Sequence, residues 1–122
     1  MHKMSTVMPK ITLKIASDFS PTPGPRYIVE GDWSGELFRK KVLSPRINEA
    51  IRQNSQIEVI LDGTAGYGTS FLEEAFGGLV REEKMDYDQI AKCLLITSVE
   101  EDYLVTDIMQ YLDEANQDIH KV

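Results

Sequence analysis

The chain has 122 residues, 42% hydrophobic and 27% charged, which is enough for one globular domain with a real core and too little for two. A formal charge of −7 disfavours nucleic acid and anionic membranes as partners and suits a basic protein better. No apolar run approaches the roughly 18 residues of a membrane span, the N-terminus does not read as a secretory leader, and the lone Cys93 excludes an internal disulfide, so a cytoplasmic protein is expected.

Residues 1–9 show little periodicity and are expected to be a loose lead-in to a single domain over 10–119. At 10–17, Ile11, Leu13 and Ile15 alternate with Thr12, Lys14 and Ala16, the period of a strand with one core face. Three prolines make 18–26 a loop, and RYIVEG at 26–31 reads as a short strand paired back, antiparallel, on the first. Residues 32–43 read as a helix capped by Ser34 or Asp32, with Glu36 in its first turn. Ser44-Pro45 predicts a kink, or a second short helix over 45–54.

QIEVILD at 56–62 is apolar enough for a central strand covered on both faces, or nearly so. Residues 69–84 form an amphipathic helix, with Phe71, Ala75 and Leu79 beside Leu72, Phe76 and Val80. Gly77 and Gly78 each cost a helix about 1 kcal/mol relative to alanine, which predicts a close neighbour there or a weakened helix end. KCLLIT at 92–97 is another strand, and 100–119 a closing helix with Leu104, Ile108, Leu112 and Ala115 on its apolar stripe. The order β-β-α-β-α-β-α implies an α/β fold with right-handed parallel crossovers.

The turn GTAGYGTS, residues 63–70, invites three readings. It follows a strand and opens a helix, the setting of a phosphate-binding loop. Yet Thr69 stands where that loop needs lysine, and Glu73 and Glu74 in the first turn would repel a triphosphate, which argues against nucleotide hydrolysis. Second, Ser70 and Glu73 have the spacing of a capping box, with the glycines serving only tight turns. Third, hydroxyls at a helix start suit a protein-binding surface switched by phosphate.

The strand IEVILDG, a turn, and a hydroxyl pair opening FLEEAFGGL resemble the STAS domain of anti-sigma-factor antagonists, and more closely the STAS-like DUF4325 type. DFS at 18–20, GDWSGELFR at 31–39 and TSFLEEAFGGL at 69–79 carry that likeness over roughly 10–115. It implies a STAS-like α/β domain: a mixed sheet of four to five strands with helices mainly on one face. It also implies a non-catalytic regulatory module, with no cofactor, that binds a protein. In the STAS relatives the first hydroxyl is phosphorylated by a GHKL-type kinase that is also the anti-sigma factor. Thr69 takes that position here and Ser70 the next, while Gly68 replaces an aspartate and Phe71 a glycine.

The candidate phosphoacceptors are therefore Thr69 and Ser70. The candidate partner surface is Asp62, Gly66, Tyr67, Gly68, Phe71 and Glu74, joined by Trp33 and Ser34 if the two loops share a sheet edge. Trp33 reads equally well as a residue packed on the core before its helix. The partner is expected to be a GHKL-type ATPase or kinase, and self-association is open. The alternative is a small-ligand or nucleotide module using the helix start at Thr69 and Ser70 as an anion site. No catalytic or metal site is expected: His2 and His120 lie near the termini, and the acidic runs are solvent-facing patterns.

Overall fold

The computed structural model of the chain describes residues 10–121, and the lead-in expected over 1–9 lies outside them. Three strands, β1 (Lys10–Lys14), β2 (Gln56–Ile60) and β3 (Leu94–Thr97), form one parallel sheet in the order β1-β2-β3. Ile11 pairs with Ile57 and Ile57 with Leu94, and the row Leu13, Val59, Ile96 follows. These side chains, with Leu61, turn to the helical side of the sheet; Leu13, Ile57, Val59, Leu61 and Leu94 are buried. Two right-handed crossovers that step the same way place their helices on the same face.

The expected four to five strands of a mixed sheet are therefore three, all parallel. The missing strand is 26–31, where Ile28–Glu30 is a single 3₁₀ turn. The Tyr27 N–H donates to Glu30 Oε1 at 2.8 Å and the Ile28 N–H to Glu36 Oε1 at 2.9 Å, so the donors that a ladder would use go to carboxylates instead. Nor is β2 covered on both sides. Gln56, Glu58 and Ile60 are only partly buried, and Glu58 binds Lys10 at 3.0 Å and Thr97 at 2.5 Å across that open face.

β1 stops at Lys14, whose N–H donates to Asp18 at 2.8 Å and starts the single turn α1 (Ile15–Asp18). The next helical run is continuous through α2 (Gly35–Phe38), a π segment (Arg39–Leu43) and α3 (Ser44–Arg52). α3 begins at Ser44 with Pro45 in its first turn, as the second-helix alternative expected, and follows the π segment directly. The Ser44 N–H reaches five residues back to the Arg39 carbonyl, a wider turn that relieves the crowding a proline ring imposes on the carbonyl four residues before it.

The second run is built the same way: α4 (Thr69–Leu72), a π segment (Glu73–Gly77) and α5 (Gly78–Arg81). α6 (Tyr87–Cys93) is capped by Asp86, whose carboxylate accepts the Gln89 N–H at 3.0 Å; Lys92 and Cys93 thus belong to a helix rather than to β3. α7 (Tyr103–Ile119) closes the core with Leu104, Ile108, Leu112 and Ala115, lying against the Glu73–Gly77 segment and α5. Among the described residues no helix is long and apolar enough to cross a membrane.

Gly35 fixes the crossing of the two helical runs. A Cβ there would run into the Phe71 carbonyl oxygen and stand 3.1 Å from the Phe71 Cα. Backbone cannot yield as a flexible side chain can. Gly35→Ala is therefore expected to destabilise the fold by about 1–3 kcal/mol, as overpacking does, despite alanine's better helix propensity. Urea unfolding measures this, and a stabilised variant would show the crossing to be loose.

Candidate functional site

The turn after β2 is tied down from several sides. The Asp62 carboxylate accepts the Val99 N–H at 3.0 Å and the Glu100 N–H at 2.9 Å, and Glu100 in return accepts the Gly63 N–H at 3.1 Å. The two N–H bonds hold Asp62 below the usual carboxylate range. Gly63 has φ +94, a left-handed conformation that favours glycine, and brings the chain against Ala16. The Ala65 N–H donates to the Pro21 carbonyl at 2.8 Å. Tyr67 is half-buried, and its hydroxyl donates to the Leu61 carbonyl at 2.7 Å. Burial pushes that phenol up to about 12, so it stays a donor.

The helix that follows starts without a side-chain cap. The predicted capping box does not form, because Glu73 is drawn elsewhere: Arg26 reaches Glu73 Oε1 at 2.5 Å and Arg81 reaches its Oε2 at 2.8 Å. Burial works against the charge on Glu73, yet the bonds from Arg81 and Arg26 prevail and its pKa is lowered. Thr69 and Ser70 are exposed. The Thr69 side chain lies beside the Tyr111 phenol of α7, and the Ser70 hydroxyl makes no hydrogen bond among the described residues. Gly68 is exposed too, and Gly66 is partly buried with open space where a Cβ would stand.

Three expected contact residues lie inside instead. Phe71 is buried in an aromatic cluster, 5.8 Å from the Phe38 ring and 5.8 Å from Tyr67. Ser34 is buried because it caps α2, accepting the Leu37 N–H at 3.0 Å. Glu74 is buried against Arg39, itself 2% exposed. Arg39 Nη1 donates to Glu74 Oε2 at 2.5 Å and to the Glu74 carbonyl at 2.8 Å, and its Nε donates to Glu83 at 2.9 Å. Burial opposes the charge on Arg39, and the bonds to Glu74 and Glu83 more than offset it.

Trp33 does share an edge with the turn. Its ring stands edge-on to Phe19 at 5.5 Å, and Phe19 leads to Phe71 and so to Tyr67. Sequence patterns did not reveal the supports of the site. Val99, Glu100, Tyr111 and the three arginines come from segments 26–111 that only folding brings together. Arg39 stands beside Lys40 and Lys41 in the sequence, and a charge pattern alone carries no mark of burial.

The family model for the STAS-like domain of unknown function (DUF4325) matches residues 34–104, more than half of the chain. The chain belongs to this STAS-like family. The match takes in the 63–70 turn, Arg39, Glu74 and Arg81. No curated protein and no solved structure matches the chain.

In this STAS-like domain the ion pairs should be visible as stability. Removing one partner of a buried pair costs about 3–5 kcal/mol, so Glu74→Gln should lose most of that in urea unfolding. An Arg39→Met, Glu74→Leu double variant should recover a large share of the loss. Acid should act in the same direction. Glu36, Glu58, Asp62 and Glu73 are all held below their usual values. Their stabilising effect is full at neutral pH and is lost as pH falls through the depressed values, below about pH 4. A fold that gains stability on acidification would contradict this.

Proposed function

We propose that this STAS-like domain is a non-catalytic regulatory module that docks a protein partner on the 63–70 turn and the first turn of α4, with reversible phosphorylation as its switch. The observation that carries the reading is the pair of exposed hydroxyls, Thr69 and Ser70, on a turn that is otherwise fixed at Asp62, Gly63, Ala65 and Tyr67. A rigid turn presents the same shape to every encounter and loses little entropy on binding. A phosphate there adds close to two negative charges and alters what can dock. By the resemblance to anti-sigma-factor antagonists, the partner is a GHKL-type ATPase or kinase.

Of the two hydroxyls Ser70 is the better acceptor, because the Thr69 side chain stands beside the Tyr111 phenol and is more hindered. Among the described residues no histidine serves the turn as a base: the His120 ring lies against the Asn116 carbonyl, about 13 Å along α7 from Tyr111 by the rise of a helix.

Phosphosite mapping on the tryptic peptide 53–81, after incubation with ATP and soluble extract of the native host, tests the switch. The expected result is a phosphate on Ser70 that Ser70→Ala abolishes and Thr69→Ala does not. Ser70→Asp should release a partner that co-purifies with the unmodified chain. An unmodified peptide under every growth condition, with the same partner retained by Ser70→Asp, would refute the switch.

One observation favours a second reading, an anion-binding module. The acids expected to repel a phosphate are taken up by Arg26, Arg39 and Arg81, and the start of α4 lacks a side-chain cap. A melting temperature that climbs with ATP or inorganic phosphate, and no longer does so in Ser70→Asp, would select it.

A further inference from the structure

Four apolar side chains stand together in solvent between α1 and α2: Tyr27, Ile28, Val29 and Trp33. Val29 is 93% exposed and Trp33 45%. They are not there through looseness. Glu30 and Glu36 accept the N–H groups of Tyr27 and Ile28, and the Glu30 N–H returns to the Tyr27 carbonyl at 3.0 Å. On the far side, the Gly24 N–H donates to the Trp33 carbonyl at 2.8 Å and the Gly35 N–H to the Pro25 carbonyl at 2.9 Å. Trp33 itself has φ +57, a conformation that costs a bulky residue about 1–2 kcal/mol. Such strain, kept only where surrounding bonds enforce it, is a mark of a functional surface.

Ile28 and Trp33 flank a shallow groove of about 300 Å³, with Gly31, Asp32, Ser34 and Leu37 completing it. Asp32, in the groove wall, is exposed and enters no ion pair among the described residues, and Glu30, two residues before it, is exposed and also without an ion pair there, while Arg26 is already committed to Glu73 and Glu74. The groove wall itself therefore carries one unpaired negative charge and no positive one. A second copy of the chain, at −7, is poorly matched to it.

We propose that this groove takes a basic peptide segment of another protein. A bulky aliphatic or aromatic side chain sits between Ile28 and Trp33, and flanking Lys or Arg residues face Asp32 and Glu30. An aromatic anchor in a preorganised pocket with an oppositely charged rim is the usual make-up of an interface hot spot. The inference rests on the protein-binding reading above and adds a place and a partner chemistry to it. The groove adjoins the phosphoswitch turn through Phe19, which touches both Trp33 and Phe71, yet its binding does not require a phosphate.

Panning a random peptide-display library against the full chain tests the proposal. Enriched peptides should be net basic with at least one bulky apolar residue. A synthetic copy should shift the emission of Trp33, the single tryptophan, and should bind Ile28→Lys and Asp32→Lys at least tenfold more weakly. Both of those side chains are exposed, so the variants keep the fold even if Trp33→Ala does not. Acidic winners, no winners, unchanged binding to both variants, or unmoved Trp33 emission would overturn the proposal. So would a concentration-dependent dimer that Ile28→Lys abolishes, or the same emission shift on anionic vesicles. If a native partner binds wild type and Ile28→Lys alike yet is released by Ser70→Asp, the docking reading stands and this inference alone falls.

Discussion

The two long helical runs are held together by one buried guanidinium. Arg39 leaves the first run, enters the second, and binds both the side chain and the backbone carbonyl of Glu74, with Glu83 completing its set. Both runs widen into π segments at this contact, one beginning at Arg39 and the other containing Glu74. Such widenings concentrate where a helix has been adapted to a special contact. Gly78 leaves room for the guanidinium: a Cβ there would stand 2.9 Å from the Arg39 Cδ. A buried ion pair stabilises less than its Coulomb energy suggests, but it tolerates very few geometries. Here that selectivity fixes the angle and register of α4, and so the place where Thr69 and Ser70 emerge.

The sheet sets the other half of the site. Three parallel strands send their carboxyl ends to one edge, where α/β proteins commonly keep their functional loops. Asp62, at the end of β2, reaches across to the backbone that follows β3. The 63–70 turn is thereby braced by the sheet below and by the Arg26–Glu73–Arg81 cluster behind. An open polar cleft of about 430 Å³ adjoins that cluster, but its lining charges, among them Lys40 with Glu36 and Arg81 with Glu82, are already paired.

The periodic parts of the chain were legible from sequence. The alternation over 10–17 reappears as a strand only to Lys14, with Ile15–Asp18 helical; the apolar run at 56–62 reappears as β2 over Gln56–Ile60, the helical rows after Thr69 reappear, and the Gly77-Gly78 pair does mark a close neighbour. Residues 26–31 were misread because β-branched and aromatic side chains suit a strand and a solvent-facing turn equally. What decided between them was Glu30 within the segment and Glu36, eight residues beyond Ile28. Pro45 does mark the start of α3, but the wider turn that leads into it was not legible. In the site, the exposed hydroxyls and the Ser34 cap could be read locally, whereas the burial of Phe71 and Glu74 depended on partners far along the chain.

We propose that a rigid turn and a neighbouring apolar groove form one partner-facing side of this STAS-like domain. Hydrogen–deuterium exchange on the chain, with and without its co-purified partner, tests this most directly. The account predicts protection at 27–33 and 63–72, with the open sheet face around Thr12, Glu58 and Leu95 unchanged. Protection confined to that sheet face, with both loops exchanging as in the free protein, would contradict it.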